Sequence, residues 1–380
     1  MTKRSFRFLA SLPMAFGLTI PLALAQQWTR LTFGVPYVRA AHSAVYNPTT
    51  NQMLVFAGGG STGPQTNDVW LMNNANGAMG TPSWLLEIPN GSPGAPPPRY
   101  GHTAVYDSVN DRMIIFGGCL GICLPVANDT WVLLNAAGAG GTPTWQQLSP
   151  TGGPPAARTF QAAVYDPANN RMTIFAGQNG SGDGGATYGD VWVLTNANGL
   201  GGTPAWTQLA PIGGPPLGQY APSAVYDQVN NIMTVFGGGA HGGPGLTNAV
   251  WALSNANGIG GAPVWTRLVA DGAPGSPAPR LWQTATYDPG SNRMTIYAGT
   301  NSTSNFNDVW VLSNANGMGG SGTWLKLTVT PSARLTPSAR VQHTAVYDPG
   351  SNRMMVFGGE LNNGDGLSYA TWVLTNANGL

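Results

Sequence analysis

Charge is what this chain of 380 residues has least of: Asp, Glu, Lys and Arg make up 8% of it, 16 basic against 15 acidic. A net charge of +1 gives no electrostatic footprint for a nucleic acid or an anionic membrane surface, so the sequence predicts neither as a partner. Cysteine is nearly absent, at two residues. Cys119 and Cys123 lie four apart in one loop. They cannot make a closed zinc site, which wants four ligands, but in an exported chain they could form a small local disulfide. No Gly-x-Ser-x-Gly elbow, P-loop or metalloprotease motif occurs, and neither metal nor cofactor is expected. Past the N-terminus, no segment is apolar enough to span a bilayer.

The first 25 residues have the pattern of an export signal. Lys3, Arg4 and Arg7 form a basic start, an apolar stretch runs from Phe8 to Leu24, and Ala23-Leu24-Ala25 fits a small-x-small cleavage site. Pro13, Gly17 and Pro21 interrupt the stretch, which argues against an uncleaved anchor helix. The expected product is a single domain over 26–380, secreted or periplasmic and monomeric.

What the sequence has in quantity is glycine (54) and proline (31), placed among Trp, Tyr, Val and Phe at a fixed period. One pattern occurs six times, beginning near Arg39, Arg99, Arg158, Gln219, Arg280 and Arg340, at steps of about sixty residues. Each copy has four short segments, typified by "HTAVYD" (His102–Asp107), "NRMTIFAG" (Asn170–Gly177), "NDVWVL" (Asn307–Leu312) and "WTQL" (Trp206–Leu209). β-Branched and aromatic residues bounded by Gly, Pro, Asn and Asp are strand signals. The continuous apolar runs "AVY" and "MIIF" imply small sheets covered on both faces by their neighbours. The last copy ends at "TWVLTNANGL" without its fourth segment, whereas "WTRL" (Trp28–Leu31) supplies one at the start. Six of every strand type exist only if the two chain ends pair. Twelve of the 13 tryptophans recur at two fixed strand positions and read as packing between sheets; Trp282 is off pattern.

The glycine pair closing an apolar strand ("IIFGG", Ile114–Gly118), the aromatic of "NDxW" and the Trp opening the last strand resemble the Kelch-repeat family. The resemblance covers nearly all of the chain after residue 25. It implies an all-β, six-bladed propeller of four-stranded antiparallel blades, the last completed by the N-terminal strand. The repeat is longer than the usual unit of about fifty residues, mainly through "NANGxGGxP" between the third and fourth strands.

In such a fold the nearly constant links "DPxxNR" and "NANGxGG" share one face. The second-to-third links, which diverge from copy to copy, share the other with the blade-to-blade connections. Loops that diverge on a rigid frame carry recognition, so the divergent face is the candidate site, with a glycan or protein ligand. Arg39, Arg99, Arg158, Arg280 and Arg340 begin the inner strands there, Gln219 standing in the remaining copy. The spacing just after them varies and gains Tyr100, Phe160, Tyr220 and Trp282. Such a mouth could stack on a sugar or clamp a carboxylate; the bland reading is that the arginines brace the links. His42, His102 and His343 share one repeat position and read as packing rather than metal ligands, and His241 as exposed.

Two alternatives differ in kind. The chain is similar to periplasmic sialic-acid mutarotases in being an exported six-bladed Kelch propeller, which implies sugar ring-opening by an off-pattern acid (Asp183, Glu360 or Asp365) with Arg99 or Arg158 as clamp. The other is a structural role in an extracellular coat. Copper-radical oxidases of the Kelch type need a Tyr–Cys cofactor and seven blades, which this chain lacks.

Overall fold

The computed structural model describes residues 25–32, 35–59, 64–121, 124–138, 140–180, 185–214, 216–241, 245–331, 336–361 and 366–380. The described chain forms six four-stranded antiparallel blades around one axis. Blade one runs outward through Ser43–Asn47, Gln52–Gly58, Thr66–Asn73 and Ser83–Ile88. The inner strands of the next five are Thr103–Asp107, Ala162–Asp166, Ser223–Asp227, Thr284–Asp288 and Thr344–Asp348. Each inner strand touches those of both neighbours, so the six close a ring.

Burial follows radius. Second strands such as Arg171–Phe175 are buried almost throughout, whereas fourth strands such as Ser83–Ile88 expose much of their length. Inner strands alternate between buried and half-buried positions, because one side faces the axial channel. The continuous "AVY" run is therefore covered less completely than its composition suggests.

Between blades lie six separate apolar clusters, one at every interface. Each is centred on a fourth-strand Trp against the second-strand aromatic of the preceding blade. Trp145 meets Phe56 at 4.7 Å, Trp206 meets Phe116 at 5.0 Å and Trp265 meets Phe175 at 5.1 Å between ring centroids. The recurring tryptophans are thus packing residues.

The sixth blade is built from both ends of the chain. Gln27–Thr32 pairs antiparallel with Thr371–Thr375, placing Trp28 opposite Leu374 and Arg30 opposite Trp372. On its other edge the same strand pairs in parallel with Thr330–Pro331.

The constant face is constant for a structural reason. Asn198 Nδ2 donates to Asp107 of the preceding blade at 2.6 Å, and Arg112 Nη1 donates to the Asn198 carbonyl at 2.8 Å. The same clasp recurs with Asn257 on Asp166, Asn316 on Asp227, Asn378 on Asp288 and Asn76 on Asp348. "DPxxNR" and "NANG" are two halves of one joint. Where blade two has Ala137 for the Asn, blade one has Asn47 for the Asp, so both halves change together.

Candidate functional site

On the divergent face, each blade enters its inner strand through three residues with a fixed geometry. The first pairs with the outgoing end of the same blade's second strand: Ala40 with Gly59, Tyr100 with Cys119, Thr159 with Gln178, Tyr220 with Gly239, Leu281 with Thr300 and Val341 with Glu360. The second is left-handed in all six copies: Ala41, Gly101, Phe160, Ala221, Trp282 and Gln342, with φ between 50° and 64°. The third is His42, His102, Gln161, Pro222, Gln283 or His343. The spacing is therefore uniform, which corrects the irregularity read from the sequence; Trp282 is in register and only its residue type is unusual.

The left-handed turn has a purpose. Gly101 N–H donates to the Ala41 carbonyl at 2.8 Å, Phe160 to Gly101 at 2.7 Å, and Ala221 to Phe160 at 2.8 Å. Trp282 donates to Ala221 at 3.3 Å, Gln342 to Trp282 at 3.4 Å and Ala41 to Gln342 at 2.8 Å. Six blades are joined by one closed circle of backbone hydrogen bonds around the axis. At Gly101 a Cβ would come within 2.3 Å of Thr159 Oγ1, so a larger residue there would displace the Thr159 side chain, which donates to the Gly101 carbonyl at 3.1 Å.

The five arginines lie behind this circle, buried. Arg39, Arg99, Arg158 and Arg280 pair with Asp68, Asp129, Asp190 and Asp308 at 2.6 to 2.9 Å. A bidentate second bond completes each pair, and Nη1 also donates to a strand-end carbonyl such as Gly117, 2.9 Å from Arg99. Burial raises the Asp68 and Asp129 carboxyls, but bonds and charge from Arg39 and Arg99 outweigh it and hold both below the usual range. These guanidiniums brace the links and are not presented to the mouth. With their donors so engaged, Arg99 and Arg158 are not available to clamp a sugar carboxylate. Glu360 is half-buried in the short pair with Val341, and Asp183 and Asp365 lie outside the described residues, as does Cys123 of the suggested disulfide.

The aromatics, by contrast, gather over the axis. Ring centroids of Phe160 and Trp282 are 5.9 Å apart, Tyr100 is 6.1 Å from Phe160, and Tyr220 is 6.3 Å from Trp282. His241, expected as exposed, extends the cluster: it stacks on Tyr220 at 4.5 Å and 7°, with Nε2 2.7 Å from Gln178 Oε1.

Beneath them is a cavity of about 140 Å³ lined by both inner layers of the six entries. His42, His102 and His343 hold hydroxyls of the preceding blade, Thr344, Ser43 and Thr284, at 2.8 to 2.9 Å through Nε2. Gln161 and Gln283 reach carbonyls of Phe116 and Phe236 through Nε2 at 2.9 and 3.0 Å. Burial, then the charge of Arg99, depresses His102 to about 3, and burial and Arg340 drive His343 well down, so these imidazoles are neutral. Five buried polar atoms in the lining have no protein partner: Nδ1 of the three histidines and Oε1 of Gln161 and Gln283; Trp282 Nε1 is a sixth. The two glutamine oxygens are acceptors, whereas each histidine Nδ1 donates or accepts according to the tautomer its Nε2–hydroxyl bond selects. Among the described residues no group of three His, Cys, Asp or Glu is placed to hold a metal.

The opposite mouth is different. A cavity of about 310 Å³ there is lined by one motif six times over, with Tyr46, Tyr106, Tyr165, Tyr226, Tyr287 and Tyr347 in equivalent positions. The left-handed ring and the partners of Gln161, Gln283 and His241 do not show in the sequence; the copy-to-copy alignment of the entry triplet is the signal that places the ring positions in register.

Fold and mouth together define a six-bladed propeller with one repeated and one individualised end. A family model described as the KLHDC2/KLHL20/DRC7 Kelch-repeats domain matches residues 23–134 and 79–253. The chain belongs to the Kelch-repeat family, whose propellers are typically protein-interaction modules.

Proposed function

We propose that the chain is a binding module that takes a protruding element of a protein partner into the mouth on its divergent face. One observation carries this reading: Phe160 and Trp282, the two aromatic members of the ring, occupy left-handed positions (both φ 56°) where the other blades have Ala41, Gly101, Ala221 and Gln342. A large side chain there is strained, and such strain is a mark of functional placement. The rings flank a cavity whose lining has unmatched acceptors, which a partner's donors would satisfy. A glycan is the second reading, favoured by the flat faces of Trp282, Tyr220 and His241 beside those acceptors. No catalytic step is assigned. Export through the first 25 residues belongs to the same proposal, and N-terminal sequencing of the protein recovered from its host tests it.

The binding reading is tested by panning the propeller against random peptide and glycan libraries, then substituting Phe160, Tyr220 and Trp282 by alanine. Central aromatic anchors cost about 2 kcal/mol or more on truncation, so affinity for a selected ligand falls at least about thirtyfold. Undiminished affinity in all three variants would refute the assignment.

A further inference from the structure

The repeat contains a second irregularity, away from the axis. In four blades the space between the entry link and the third strand is filled by the Arg–Asp pair, and the third-strand Trp is bound to the same carboxylate: Trp70 to Asp68, Trp131 to Asp129, Trp192 to Asp190 and Trp310 to Asp308. In the fourth blade both members are gone. Gln219 stands for the arginine and Ala249 for the aspartate, with Trp251 retained. What remains is a cavity of about 200 Å³ lined by Gln219, Ala249, Trp251, Leu217, Leu246 and Asp271, among others.

The walls keep part of what holds an arginine elsewhere: Leu217 lines the cavity, and Gly237, outside the lining, is in sequence register with Gly117. In the other blades arginine Nε donates to the carbonyl two residues before it, and Nη1 to the carbonyl eighteen after it, as Arg99 does to Pro97 at 3.1 Å and Gly117 at 2.9 Å. The matching carbonyls in blade four are those of Leu217 and Gly237, and no arginine stands at the position that serves them. Gln219 is 6% exposed, and its Oε1 has no partner. Asp271 holds Thr247 Oγ1 and the Asn248 amide through Oδ1 alone, at 2.7 and 2.8 Å. Arg158 and Arg280 lie over the rings of Tyr188 and Phe306 at 4.3 and 4.1 Å, so flat apolar cover is part of the native setting of this guanidinium.

We propose that this cavity is a socket for a guanidinium supplied from outside, the arginine side chain of a bound protein, which completes the blade as the internal arginine does elsewhere. Backbone carbonyls and Gln219 Oε1 accept its hydrogen bonds, Asp271 supplies the anionic edge, and Leu217, Leu246 and Trp251 cover its flat faces. Arg267 lies over Trp251 at 5.8 Å on the rim, where it opposes any cation and would attract an anion. The socket is separate from the axial mouth, so the two sites can be tested independently.

The experiment is an NMR titration of the whole protein with N-acetylarginine methylamide, the lysine analogue and N-acetylglutamate, following the Trp251 indole. The arginine probe is expected to saturate, to bind at least about tenfold more tightly than the lysine probe, and to tighten in Arg267→Ala. Gln219→Arg with Ala249→Asp, which installs the pair of the other blades, abolishes binding. Ala249→Leu, which only fills the space, does the same and covers the case in which the double variant does not fold. An arginine probe that fails to saturate, a glutamate probe that binds more tightly, or binding unchanged by filling the cavity would overturn the proposal.

Discussion

The indole of Trp28 packs against the ring of Tyr297, centroids 5.0 Å apart and 53° between planes. This is the contact that Trp145 makes with Phe56 and Trp206 with Phe116, except that here the Trp comes from the N-terminal strand and its partner from the fifth blade. The N-terminal strand is therefore an ordinary fourth strand in its packing, and closure of the ring depends on it. Trp28→Ala removes a side chain that is 2% exposed and is expected to cost about 3–5 kcal/mol. Deleting residues 26–33 should cost more, since the edge of Thr371–Thr375 is left unpaired as well. Urea denaturation measures both; wild-type midpoints would break the closure account.

Arg340 lacks what its four counterparts have. Ala370 occupies the aspartate position of its blade, and among the described residues no carboxylate lies within ion-pair distance of Arg340, although Nη1 still reaches the Gly358 carbonyl at 2.8 Å. Burial lowers its pKa, and Trp372 Nε1 is also without a partner. Ala370→Asp restores an acceptor to both and should raise stability by about 1.5–3 kcal/mol, the usual worth of hydrogen bonds to charged groups. In the opposite direction, Asp68→Ala strands Arg39 and should cost about 3–5 kcal/mol. Thermal melts of the two variants are expected to move in opposite directions.

Acid should destabilise the fold in two stages. His42, His102 and His343 are held neutral by burial, with His102 depressed to about 3, whereas in the unfolded chain they titrate near 6.5. Below about pH 6.5 the unfolded state binds more protons, so stability falls as the pH falls, until the folded imidazoles themselves protonate, His102 at about 3. The paired aspartates add a second loss below about pH 4, since their folded pKa values are depressed. His102→Gln, the residue used by blades three and five at this position, should flatten the first stage and leave the second. Stability measured from pH 8 to 3 checks this; an unchanged slope between 6.5 and 4 contradicts it.

The architecture was legible because packing repeats. Trp, the glycine pair and the apolar second strand recur wherever blades must pack, and the cut between the final "TWVL" (Thr371–Leu374) and the initial "WTRL" (Trp28–Leu31) exposed the closure. The site was legible only in part. Tyr100, Phe160, Tyr220 and Trp282 come together as a group, because a divergent residue type on a fixed frame stands out in the sequence. The arginines misled for the opposite reason: a cation at a mouth looks like a ligand contact until its aspartate, some thirty residues later, is placed beside it. Left-handed backbone leaves little trace in residue type when Ala, Gly, Phe, Trp and Gln all adopt it.

The central claim is that Phe160 and Trp282 sit in strained positions in order to bind. Replacing both by glycine relieves left-handed strain of about 1 kcal/mol or more at each while removing the two rings that flank the mouth. The direct measurement is therefore one pair of numbers on the double glycine variant: its midpoint of unfolding and its affinity for a ligand selected on the wild-type propeller. The account predicts a midpoint close to wild type with affinity reduced at least about a hundredfold, two hot-spot aromatics being lost. A variant that unfolds readily yet binds with wild-type affinity while folded would show the aromatics to be packing residues and the mouth to be something other than the binding site.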